Sequence, residues 1–109
     1  MKKSLYLVIK SSPVVFHALE ELRQLGYNGT VISTESVRQA VEYYPEEHHF
    51  FNLRHLDKHN LEGSIFCIFI LDSDNVEEVK KVIRKCTNNF QDIKGFMYSF
   101  DIDDYEGTV

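Results

Sequence analysis

The chain is short of positive charge. Twelve Lys and Arg stand against seventeen Asp and Glu, for a net charge of −5, which argues against a broad phosphate-contacting surface and so against nucleic acid as a partner. No apolar run approaches the ~20 residues a membrane-crossing helix needs. The opening MKKSLYLVIKSSP has a basic start and a short apolar run. Lys10 ends that run and no small-residue cleavage site follows, so it reads as a first strand and not as a signal peptide. Cysteine is scarce. Cys67 and Cys86 lack motif spacing, which predicts free thiols serving as small core residues in a reducing, cytoplasmic setting. Catalytic signatures are missing too: no Walker loop, dinucleotide fingerprint, nucleophile elbow or Ser/His/Asp spacing. The pair Glu46–Glu47 and the acidic tail read as solvated charge, not as an acid/base pair. The expectation is a protein that is not an enzyme.

What is present is the material of one domain. At 109 residues, 43% hydrophobic and 27% charged, the chain has the composition of an ordinary globular protein. Ser4 to Lys10 is rich in Leu, Tyr, Val and Ile and reads as a strand. SSPVVFHALEELRQLGYNG follows with helix punctuation: Ser12 to cap, Pro13 in the first turn, Gly26 to close, and Val15, Ala18, Leu19, Leu22 and Leu25 on one face. GTVIST is a short strand. TESVRQAVEYYP carries Val37, Ala40, Val41 and Tyr44 at helical spacing, with Thr34 as a candidate cap and Pro45 as a stop. SIFCIFILD is apolar in both registers, as a central strand is. DSDNVEEVKKVIRKC is a second helix, with a capping box expected from Asp74 and Glu77 and a Glu77–Lys81 pair one turn on. KGFMYSFDID is the closing strand, and the polar tail DYEGTV is expected to be loose.

Strand, helix, strand, long insertion, strand, helix, strand predicts an α+β, ferredoxin-like βαββαβ sandwich over residues 1–109, with a partly helical insertion at 34–63. Such a fold covers one sheet face with helices and leaves the other bare. Ile65, Cys67 and Phe69 alternate with Phe66, Ile68 and Ile70, so both faces are apolar, and a sheet of this kind finds its second cover in another copy of the chain.

Four of the five histidines, His48, His49, His55 and His59, fall in EEHHFFNLRHLDKH. A metal site needs three or four ligands converging at ~2.0–2.2 Å. His55 and His59 share a face only on a helix, His48 and His49 point apart in a strand, and no His-Glu-x-x-His pattern supports them. A solvated or subunit-contacting connection is the preferred reading. A metal-binding trimer similar to the copper-tolerance proteins, using this cluster, is the alternative, and a small ferredoxin-like enzyme is a second.

The layout resembles the PII-like superfamily of signal-transduction proteins. The residues carrying the resemblance are the first strand SLYLVIK, the helix end LGYNGTVIST, the long insertion, and IFCIFILDSDNVEEVKKVI, with LRHL preceding strand three. It implies a non-enzymatic homotrimer that binds a small anionic ligand or a protein partner in clefts between subunits. The insertion would stand where that family's effector loop stands. On this reading Thr34, Ser36, Arg38, Arg54 and Lys94 are the candidate ligand-binding residues. The bland readings stay open beside it: a helix cap for Thr34 to Ser36, and a half-buried, carboxylate-paired arginine for Arg54. Members that bind nucleotides cradle phosphate in a glycine-rich loop before strand four and follow it with basic residues. Here that loop is TNNFQDIKGF, with Gly95 after Lys94, and the tail DIDDYEG is acidic, so an ordinary ATP site is not expected.

Overall fold

The computed structural model describes residues 1–34 and 63–109, with Val37, Ala40 and Val41 between them. Four strands build the framework: β1 (Lys2–Lys10), β2 (Gly29–Thr34), β3 (Ser64–Asp72) and β4 (Gly95–Asp101). They form one sheet in the order β2-β3-β1-β4, each neighbouring pair antiparallel. Helix α1 (Pro13–Gln24) joins β1 to β2, and α2 (Val76–Thr87) joins β3 to β4. This is the ferredoxin-like order expected from the sequence.

The two-residue pleat sorts the strand side chains. Leu5, Leu7 and Ile9 of β1 and Ile65, Cys67, Phe69 and Leu71 of β3 point to one face and are buried under the helices. Val15 and Leu22 of α1 meet Val79 and Ile83 of α2 over them. Burying each such Leu, Ile or Val contributes about 1.5–3 kcal/mol, so the two central strands carry most of the core.

Helix α1 starts as its punctuation predicts. The Ser12 Oγ accepts from the Val15 N–H at 3.4 Å, Pro13 opens the first turn, and Gly26 (φ +94) turns the chain out. Leu25 differs from expectation, being 49% exposed, because it lies beyond the last turn that faces the sheet. The predicted capping box is absent. Ser73–Asn75 form a 3-10 turn, and Asn75 already has helical backbone with no side-chain cap bond. The extended residue an N-cap requires is Asp72, so Asp74 lies two residues too far along to cap. The predicted Glu77–Lys81 pair is replaced as well: Arg84 Nη1 donates to Glu77 Oε1 at 2.6 Å, two turns along the same face. That contact holds the Glu77 carboxyl below its usual range.

The helices are tied by polar contacts at their rims. Tyr27 donates to Glu78 at 2.6 Å, which raises the tyrosine pKa, and Lys85 reaches Glu21 at 2.7 Å. Both cysteines are free thiols. Burial pushes Cys67 up to about 11, the state of an inert core residue. The segment after β4 is better anchored than its polarity suggests. The Ile102 N–H donates to the Lys2 carbonyl, and the half-buried Tyr105 ring lies 5.6 Å from Lys2 Nζ.

Candidate functional site

Two surfaces stand out, the open sheet face and one end of the sheet. On the open face, register partners share a side. Val8 pairs with both Phe66 and Phe96, and Tyr6 with both Ile68 and Tyr98. Ile32 of β2 lies opposite Phe66. Tyr6 meets three rings edge-on: Phe66 at 5.0 Å, Tyr98 at 5.4 Å and Phe100 at 4.9 Å. Phe96, Tyr98 and Phe100 stack along β4 at 6.3 and 6.2 Å. These three are 55%, 50% and 40% exposed, on the face opposite α1 and α2. Tyr6 holds Tyr98 and Phe100 edge-on, and the stack along β4 carries that order on to Phe96. Beneath them the Ser4 hydroxyl is buried and makes no hydrogen bond among the described residues.

The sheet end from which residues 35–62 depart is polar. Thr34 pairs with Ser64, and Ser64 with Lys10. The Lys10 N–H donates to the Lys94 carbonyl at 3.0 Å, and the Ser11 N–H to the Gly63 carbonyl at 3.0 Å. Thr34, Ser64, Lys10 and Lys94 therefore form one row across four strands. Three strand spacings put the backbones of Thr34 and Lys94 about 14 Å apart, so one chain does not bring these two predicted residues into contact. Lys10 lies between them. It was not among the residues singled out from the sequence, although the βαββαβ order, which sets the end of strand one beside the start of strand three, contains the signal. Lys10 and Lys94 are both exposed, as a charge offered to a ligand must be.

The loop between α2 and β4 is built from left-handed residues and internal hydrogen bonds. Asn88, Asn89 and Phe90 all have positive φ (52, 55 and 62). Asn adopts this conformation readily, and a bulky aromatic rarely does. The turn is held from within. The Thr87 Oγ1 accepts from the Phe90 N–H at 3.1 Å while donating to the Ile83 carbonyl at 2.8 Å. Asn88 and Asn89 N–H groups go to the Arg84 carbonyl, Gln91 N–H to Asn88, and Asp92 N–H to Thr87. The N–H groups of 88–92 are thus all in use, whereas an anion nest needs them free and convergent. Gly95 also has a structural task. A Cβ there would sit 2.8 Å from the Val8 carbonyl oxygen, so the glycine lets β4 approach β1.

Ser36, Arg38 and Arg54 lie outside the described residues, as do Tyr44 and the four clustered histidines. Among the described residues no three His, Cys, Asp or Glu side chains converge as metal ligands would. No described helix is long and apolar enough to cross a membrane.

No protein-family model and no curated protein matches the sequence. Solved structures do. A functionally unknown protein from Pediococcus pentosaceus ATCC 25745 aligns over 99% of both chains at 12% identity, with a TM-score of 0.60. The chain is also similar to CPII, a nitrogen regulatory PII-like protein from Thiomonas intermedia K12 solved with ADP, AMP and bicarbonate. That alignment covers 93% of this chain and 85% of CPII at 15% identity, with a TM-score of 0.52. The likeness defines the class of architecture as ferredoxin-like. More narrowly, it is an architecture that a PII-like nitrogen regulatory protein shares, in keeping with the resemblance read from the strand and helix motifs.

Proposed function

We propose that this protein is a non-enzymatic, PII-like regulatory protein. It assembles as a homotrimer through the open sheet face and takes a small anionic ligand or a protein partner at the clefts between subunits. Residues 34–63 are its effector segment, and Thr34, Ser36, Arg38, Arg54 and Lys94, now joined by Lys10, are its ligand-facing residues. The observation that carries this reading is the ordered aromatic face of Tyr6, Phe66, Phe96, Tyr98 and Phe100. A contiguous apolar patch of this kind on a chain of 109 residues is a contact surface. The self-saturated turn at 88–92 favours a compact anion or a carboxylate-bearing partner over a polyphosphate. The free thiols of Cys67 and Cys86 fit a reducing, cytoplasmic setting.

Sedimentation of the full chain tests the assembly. The wild type is expected to run as a trimer and Tyr98→Asp as a folded monomer, since Tyr98 is half exposed on an edge strand and bears little of the core. A monomeric wild type refutes the reading. The ligand is tested by thermal shift against phosphate, bicarbonate, AMP and ADP, because a compound that binds only the native state raises its stability by mass action. Silence across that panel removes the small-ligand half and leaves the protein partner.

A further inference from the structure

Among the described residues, the two ends of the sheet carry opposite charge, a sheet's length apart. At the end where β1 begins stand Asp72, Asp74, Asp101, Asp103, Asp104 and Glu106, against Lys2 and Lys3. Both of those lysines are engaged, Lys2 with Asp72 at 2.9 Å and Lys3 with Asp101 at 3.2 Å. At the other end, among the described residues, are Lys10 and Lys94, with the one carboxylate of Asp92 on the loop before Lys94, within 3.5 Å of the Asn88 amide. From Lys3 to Lys10 the strand rises about 23 Å, more than two screening lengths of about 8 Å at physiological ionic strength.

The acidic segment is held in place. Ile102 extends the backbone ladder onto Lys2, and Tyr105 packs beside the Lys2 ammonium, so Asp103 and Asp104 are presented from anchored backbone and are themselves exposed. We propose that this segment seats on the lysine end of the next copy, where the carboxylates of Asp103, Asp104 and Glu106 engage Lys10 and Lys94. The contact joins unlike patches, so it is heterologous, and contacts of that kind generate rings when the rotation closes. It runs on from the aromatic face that lies between the two ends. It also gives the anion site a built-in competitor: a ligand anion must displace the neighbour's carboxylates to reach the lysines.

The inference rests on the assembly proposed above and adds which ends meet and what regulates the site. Sedimentation over a dilution series, in low salt and at about 0.15 M and 0.5 M, is the test. Wild-type association is expected to weaken with salt. K10E/K94E and D103K/D104K are each expected to weaken it by about tenfold or more, the scale of a few close interfacial charge pairs. The quadruple variant K10E/K94E/D103K/D104K, which restores opposite charge between positions 103 and 104 and positions 10 and 94 and leaves Glu106 alone facing like charge, is expected to recover most of the loss. Circular dichroism checks folding, and all four positions are exposed. Charge reversals that leave a wild-type oligomer unchanged, or a quadruple variant as weak as the doubles, overturn this inference alone. A monomeric wild type overturns the underlying assembly as well. With inorganic phosphate as probe, D103N/D104N should gain more thermal stabilisation than the wild type; an equal response overturns the competition.

Discussion

Gly95→Ala separates two explanations of the glycine that opens β4. A Cβ at this position would lie 2.8 Å from the Val8 carbonyl oxygen, 2.9 Å from Ile9 Cγ1 and 3.0 Å from Ile9 Cα. Two of these are backbone atoms of the central strand and cannot swing aside. Ordinary contact begins near 3.4 Å, so the start of β4 must move by about 0.5 Å, against a ladder that runs from Gly95 to Asp101. Overpacking of this kind costs about 1–3 kcal/mol, a large part of a native stability of about 5–15 kcal/mol. Urea unfolding followed by circular dichroism reads it as a midpoint lowered by about 1 M. Gly26→Ala is the internal control. Gly26 has φ +94 but nothing within 4 Å of an added Cβ, so its cost is the left-handed backbone alone, about 1 kcal/mol. A Gly95→Ala protein within about 0.5 kcal/mol of wild type, yet with a lost response to phosphate, would refute the sheet-closure reasoning and return the glycine to a ligand loop.

Thr87→Val keeps the shape of the buried side chain but orphans the Phe90 N–H; unfolding is expected to be easier by about 1–3 kcal/mol. Ser4→Ala removes a buried hydroxyl with no hydrogen-bond partner among the described residues, and the same measurement should show no loss or a gain of up to about 1 kcal/mol. At about pH 8, alkylation followed by mass spectrometry should label Cys86 before Cys67. Cys67 is fully buried with its pKa pushed up to about 11, while Cys86 is only partly covered, though burial and Glu21 raise it too. Asp72 and Glu77 have folded pKa values lowered by Lys2 and Arg84. Their contribution is therefore complete above the unfolded carboxylate pKa of about 4 and lost as pH falls through the folded values. Tyr27, raised by Glu78, acts in the opposite direction, with stability present below about pH 10 and lost above it. Glu77→Gln should flatten the acid limb of the unfolding midpoint, and Tyr27→Phe the alkaline limb.

Most of the fold is legible in the residues because its causes are local. GTVIST and SIFCIFILD become strands at the expected residues, since alternation and turn residues bound them. Ser12, Pro13 and Gly26 act as expected because capping depends on a few neighbouring atoms. The failed capping box shows where that locality ends. Asp74 has the right spacing from Glu77, but the 3-10 turn at Ser73–Asn75 gives the backbone another way into the helix. Arg84 displaces Lys81 as the partner of Glu77 because both positions are within reach and only packing selects between them. Of the candidate site, the sequence supplied Thr34 and Lys94 and passed over Lys10. A strand-ending lysine looks like solvated charge until the register sets it beside Ser64 and Lys94.

The sequence by itself determined the element order, the helix faces and a sheet apolar on both sides, because periodicity and turn chemistry act within a few residues. It also showed that the loop before the last strand lacks a phosphate-binding pattern. Only the tertiary structure decided why. Thr87 and its neighbours consume the N–H groups of 88–92, and Gly95 is required by the nearness of Val8. It likewise decided that the two charged ends lie a sheet's length apart and that Tyr105 fastens the acidic segment to one of them. These facts depend on which strands become neighbours, and antiparallel pairing brings together residues that are far apart along the chain.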